Sequence, residues 1–137
     1  MQTDFASSER TLILAPFGRD ATIASALLTE VGLDYTICRD LVQLCAGIVD
    51  GAGLVLLTEE TVLTADLTPI SKWVAAQASW SDLPFLLLTS QGGGSERNPA
   101  AMRLSEVLGN VTFLERPFRP TTLVSLVRTA LRGRQRQ

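Results

Sequence analysis

The chain has 137 residues, 46% of them hydrophobic and 19% charged, with no histidine and a formal net charge of −2. That length suits one hydrophobic core, the apolar content excludes intrinsic disorder, and no apolar run approaches the ~18 residues of a membrane span. The lack of histidine removes imidazole acid–base catalysis, Ser-His-Asp triads and the commonest zinc ligand sets.

In chain order, residues 1–10 are polar, lack the apolar centre of an export signal, and read as a disordered leading segment. Thr11-Leu12-Ile13-Leu14-Ala15 is an apolar run short enough for a buried strand, closed by Pro16. Asp20 reads as the cap of a helix with Ile23, Leu27 and Val31 on one face and Gly32 as its stop. Tyr35 to Cys38 is β-prone. Asp40 caps a second helix whose Leu41, Leu44, Cys45 and Ile48 fit the i, i+3, i+4, i+7 pattern, with Gly51 and Gly53 beyond it. Leu54 to Leu57 is a third buried strand. Residues 59–69 are ambiguous and precede a helix around Ile70, Trp73, Val74 and Gln77. Leu83 to Leu88 reads as the fourth strand, with Pro84 near its start, where a missing N–H is tolerated. Residues 90–98 form a glycine-dense loop. Pro99 opens a helix carrying Met102, Leu104, Val107 and Leu108. Val111 to Leu114 makes the fifth strand, and a last helix from Pro120 puts Leu123, Leu126, Val127, Ala130 and Leu131 on one face.

Five strands alternate with five helices, and the strands are apolar throughout rather than alternating. That pattern predicts an α/β three-layer, doubly wound (βα)5 sandwich around a five-stranded parallel sheet over residues 11–133, with 134–137 a polar tail. In such sheets the functional crevice lies at the carboxyl ends of the strands. Charge is unevenly distributed: residues 1–115 carry 6 basic and 14 acidic side chains, and residues 116–137 carry six arginines and no acid. The acidic body argues against a nucleic-acid partner, so the arginines read as helix-dipole complements and a solvated face. Cys38 and Cys45 fit neither a redox pair nor a zinc site and read as buried small hydrophobes in a cytoplasmic protein. Gly92-Gly93-Gly94 lacks the lysine and spacing of a phosphate loop, and Trp73 and Trp80 read as core or interface residues.

Two runs carry a family resemblance: Leu83-Pro84-Phe85-Leu86-Leu87-Leu88-Thr89-Ser90, and Phe113-Leu114-Glu115-Arg116-Pro117-Phe118-Arg119-Pro120. Together with the element order they make the chain resemble the receiver domains of two-component response regulators, which have a flavodoxin-like fold. The resemblance implies an acid pair after strand one for Mg²⁺, a phosphoacceptor aspartate after strand three, a hydroxyl after strand four and a lysine after strand five. The metal and the lysine would offset charge during phosphoryl transfer. In this sequence the acid-pair positions are Pro16 and Phe17, the phosphoacceptor position is Thr58, the hydroxyl is Thr89 and the lysine position is Arg116. Neither proline nor phenylalanine ligates Mg²⁺, and threonine forms no acyl phosphate.

Asp20, Glu59 and Glu60 are open to two readings. One is a displaced metal site; the preferred one makes Asp20 an N-cap, with Glu59 and Glu60 in the first turn of a helix capped by Thr58. The resemblance further implies a switch pair at Thr89 and Phe113 and a cis peptide bond before Pro117. It also implies a dimer face of helix four, strand five and helix five, here with Arg103, Glu106, Arg119, Arg128 and Arg132. The expectation is a non-enzymatic pseudo-receiver without cofactor or metal, contacting a histidine kinase or other signalling protein and neither inserting in a membrane nor binding nucleic acid. The alternative is a flavodoxin-like domain that binds a small molecule or cofactor at the strand ends.

Overall fold

The computed structural model describes residues 9–77, 83–90 and 99–135. Its elements are β1 (Thr11–Leu14), α1 (Asp20–Glu30), β2 (Tyr35–Ile37), α2 (Leu41–Asp50), β3 (Leu54–Thr58), α3 (Glu59–Thr64), α4 (Thr68–Ala76), β4 (Phe85–Thr89), α5 (Pro99–Leu108), β5 (Val111–Glu115) and α6 (Pro120–Gln135). The strands form one parallel sheet in the order β2-β1-β3-β4-β5. The order reverses between β1 and β3, which places a crevice at the carboxyl edge of those two strands.

The apolar runs are explained by the two faces they serve. Leu12, Leu14, Val55, Leu57, Phe85 and Leu87 pack against α2, α3, α4 and α5 through Leu44, Ile48, Val62, Ile70 and Leu108. The alternate residues Ile13, Leu54, Leu56, Leu86, Leu88 and Leu114 pack against α1 and α6 through Ala24, Leu28, Leu123, Val127 and Leu131. A strand buried on both sides needs apolar residues at every position.

Two helices depart from the sequence reading. On α1 the residues in the core are Ala24 and Leu28, one position beyond the expected stripe; Ile23 is 43% exposed and Leu27 is half-buried. The small Ala24 lets the helix approach the sheet, which leaves the larger Leu27 and Val31 to line a groove against α6. The ambiguous stretch 59–69 resolves into the short helix α3 and, from Thr68, the start of α4. The leading residues 1–8, the Gly92–Gly94 segment and Trp80 lie outside the described residues. At the other end α6 continues to Gln135.

The ends of α2 are strongly tied. Asp40 accepts from the Gln43 N–H at 2.9 Å, and the Gln43 side chain accepts from the Arg39 N–H at 2.7 Å. The first bond satisfies an N–H that the helix itself leaves unpaired, and the second ties the residue before the cap to the first turn. At the other end Arg10 donates to the carbonyls of Gly51 (3.0 Å) and Gly47 (3.2 Å) and to the Thr36 hydroxyl (3.2 Å). None of the described helices is long and apolar enough to cross a membrane.

Candidate functional site

The carboxyl edge of the sheet gathers four charged side chains from three connections. Asp20 is the first residue of α1, Glu59 and Glu60 open α3 directly after β3, and Arg116 follows β5. The Arg116 guanidinium lies among them. Its Nη1 donates to Asp20 Oδ2 at 2.7 Å and its Nη2 to Glu60 Oε2 at 2.7 Å, with Glu59 Oε1 3.5 Å from Nη2. Its Nε donates to the Thr89 carbonyl at 3.1 Å, and the Arg116 backbone N–H reaches the same oxygen at 2.8 Å. Glu59 in turn accepts from the Ser90 N–H at 2.8 Å. All three guanidinium nitrogens are therefore engaged, and the planar fork serves two carboxylates at once.

The electrostatics follow from this geometry. The hydrogen bond from Arg116 holds the Glu60 carboxyl below the ordinary carboxylate range, against a smaller opposing effect of desolvation. The same contacts, with Glu60 first and Asp20 next, push the Arg116 guanidinium further up. The Arg116 and Asp20 side chains are only 19% and 17% exposed, so this pair is screened far less than a surface ion pair.

The capping roles expected of Asp20 and Thr58 are corrected. Arg19, not Asp20, holds the N-cap position of α1, and no side chain caps that helix. Asp20 already sits in the first turn, where its carboxylate is directed to Arg116. Thr58 holds the N-cap position of α3 without a capping hydrogen bond. It is the last residue of β3, fully buried, and its hydroxyl lies 2.9 Å from that of Thr61. Of the preferred reading, Glu59 and Glu60 do stand in the first turn of the helix that starts at Thr58; the displaced metal site is not seen, because the three carboxylates converge on a guanidinium.

A Mg²⁺ ion does not fit these residues. Pro16 and Phe17 lie exposed in the β1–α1 loop with no side-chain oxygen, and Arg116 occupies the space between Asp20 and Glu60. Among the described residues, no set of three His, Cys, Asp or Glu side chains is disposed to hold a metal ion.

Thr89 is buried at the end of β4, and Phe113 lies half-buried against the core on the α5 side, in register with Leu87. The Arg116–Pro117 peptide bond is cis. The five residues expected on one dimer face are dispersed. Arg103 is turned inward, donating to the carbonyls of Val62 (2.6 Å) and Ala65 (3.0 Å) at the end of α3. Arg128 and Arg132 line the groove between α6 and α1 together with Leu27 and Val31, so they belong to the opposite side of α6. Glu106 and Arg119 are exposed. Cys38 is buried as expected, whereas Cys45 is half-buried against the same core, and desolvation raises both thiols above their usual range.

Sequence reasoning missed the pairing of Arg116 with Asp20 and Glu60, which are 96 and 56 residues away. The available signal was positional: every one of these charges directly follows a strand or opens the helix after one, so a parallel sheet brings them to the same edge.

No protein-family model and no curated protein matches the sequence. Solved structures do. Full-length FixJ from B. japonicum superposes with a TM-score of 0.72 at 23% identity, over 93% of this chain and 59% of that one. A CheY-like response regulator receiver domain protein from Methanospirillum hungatei JF-1 gives 0.71 at 13% identity, over 93% and 97% of the two chains. Chemotaxis response regulator CheY4 of Vibrio cholerae gives 0.68 at 17%, over 89% and 98%. The chain thus has the CheY-like receiver fold, and it spans about three fifths of the length of FixJ.

Proposed function

We propose that this chain is a pseudo-receiver: a regulatory module of two-component signalling that works by protein contact and takes no phosphoryl group. One observation carries the reading. The Arg116 guanidinium bridges Asp20 and Glu60 at 2.7 Å each, at the edge where phosphoryl chemistry requires a metal ion and an acceptor carboxylate. An internal cation takes the place beside these carboxylates that a metal ion would otherwise fill, and the fully buried Thr58 hydroxyl is already engaged with Thr61. The domain is then held in one electrostatic state.

In this reading the module has no catalytic activity, resides in the cytoplasm and bears on an attached or partner histidine kinase or another signalling domain. The contact face formed by α5, β5 and α6 retains Glu106 and Arg119 of the five residues first assigned to it. Incubation with a small-molecule phosphodonor and Mg²⁺, followed by intact mass spectrometry, tests the proposal. The expected result is an unchanged mass; one added phosphate, labile as an acyl phosphate, overturns it.

A second reading rests on a cavity of about 480 Å³ at the same edge, lined by Ile23, Leu27, Pro117, Phe118 and Pro120 beside Asp20 and Arg116. Its walls are largely apolar with a charged rim, the character of a small-molecule site. Thermal shifts with flavins, nucleotides and quinones separate the two readings, because a true ligand stabilises the fold by mass action.

A further inference from the structure

The helix α2 is apolar on two sides. Leu44 and Ile48 enter the core, while Val42 and Val49 point away from it, 79% and 75% exposed, the highest values among the described large hydrophobic residues. Exposed Ala46 lies between them, so residues 42, 46 and 49 form a second stripe at i, i+4, i+7. Asp50 is the only charged residue of the helix. Ile37 on the edge strand β2 adds a further 46%-exposed side chain, and a groove of about 630 Å³ between β2 and α2 is lined by Ile37, Ala46 and Val49 with Arg10, Thr36 and Asp50 among its polar walls. A helix that is hydrophobic around its circumference belongs in a buried setting, and a contiguous apolar patch marks an interaction surface.

We propose that this face binds a second copy of the chain, with the two α2 helices packed antiparallel about a two-fold axis near Ala46. The end charges select this occupant and this direction. Arg39 precedes the N-terminus of α2, beside Asp40 whose carboxylate is engaged in capping, and Asp50 closes its C-terminus, so Arg39 and Asp50 each have the sign the helix dipole disfavours. Arg10 approaches Asp50 at 3.6 Å yet leaves its side chain 74% exposed. Antiparallel packing brings Arg39 of each copy to Asp50 of the other, twice by symmetry, and places Val42 opposite Val49. A parallel arrangement would set like charges together. Val42, Ala46, Val49 and Ile37 are few beside the roughly 20–30 residues a side of a standard interface, so the contact is weak and concentration-dependent.

Sedimentation equilibrium of the whole chain across micromolar to millimolar concentration tests this. The expected result is a mass rising toward twice that of one chain, abolished by Val42→Glu or Val49→Glu with the melting midpoint unchanged, since both side chains are exposed. Arg39→Asp and Asp50→Arg should each weaken association at least several-fold, and the double variant should restore it. A single-chain mass at every concentration overturns the proposal and would leave the face to residues 1–8 or to another protein. A dimer insensitive to the valine variants, or one that the double charge exchange fails to rescue, also overturns it.

Discussion

Replacing Arg116 by alanine tests the central feature of the site. The substitution removes two charge-assisted hydrogen bonds of 2.7 Å and leaves Asp20, Glu59 and Glu60 facing each other without a cation. Hydrogen bonds to charged groups are worth about 1.5–3 kcal/mol each, and breaking a fully buried ion pair costs about 3–5 kcal/mol. Glu60 is 43% exposed, so water relieves part of the loss, and a net cost of about 2–3 kcal/mol follows. For a chain of this size each kcal/mol moves the melting midpoint by about 3–5 °C, giving a fall of roughly 6–15 °C by circular dichroism. Arg116→Lys should recover about half, because one ammonium cannot span both carboxylates. Millimolar MgCl2, compared with NaCl at equal ionic strength, should raise the midpoint of the alanine variant and not that of the unmodified protein, since the freed carboxylates offer hard oxygen ligands. A fall below about 3 °C in Arg116→Ala, or a lysine variant as stable as the original, would refute the bridging role.

Other outcomes follow from neighbouring groups. The Glu60 carboxyl titrates below its ordinary value of 4.5 in the folded chain, so its link to Arg116 contributes fully above that pH and fades as pH falls through the lowered value. The stability gap between the protein and its Glu60→Gln variant, measured by urea titration, should be constant near neutrality and close in acid; a gap that widens in acid contradicts this. Two threonines should respond oppositely to the same change. Thr58→Val strands the Thr61 hydroxyl and should cost about 1–2 kcal/mol. Thr11→Val removes a buried hydroxyl with no hydrogen-bond partner among the described residues and should be neutral or stabilising in the same chemical melts; a clear loss at Thr11 would show that the hydroxyl is satisfied. Arg103→Ala should lower stability by about 1–2 kcal/mol by releasing the carbonyls of Val62 and Ala65, while leaving the sedimentation mass unchanged; the reverse pattern would return Arg103 to an interface.

The strands were legible because both faces of the sheet are covered, so Leu54 to Leu57 and Phe85 to Leu88 are apolar without interruption. The α2 helix was legible too, since Leu44 and Ile48 are both large and buried. On α1 the reading slipped by one residue because hydrophobicity favours Ile23 and Leu27, whereas the close approach to the sheet is made by Ala24, whose small size carries little signal. At the site, Thr58 and Thr89 end their strands and Arg116 follows β5, which the strand pattern makes legible, but the partners of Arg116 were not legible. Capping preferences are local and drew Asp20 and Thr58 toward their own helices. The actual contacts span most of the chain and depend on which loops a parallel sheet brings together.

The Arg10 clamp bears on how the exposed face of α2 behaves in a complex. One guanidinium fixes the helix terminus to the edge strand through three donors, while Asp40 and Gln43 fix the opposite end. A surface secured at both ends loses little conformational freedom on association, so even a small apolar stripe can be selective. Loosening Arg10 would leave Val42 and Val49 in place chemically but blur their spacing. Recognition at this face would then decline without any contact residue having been altered.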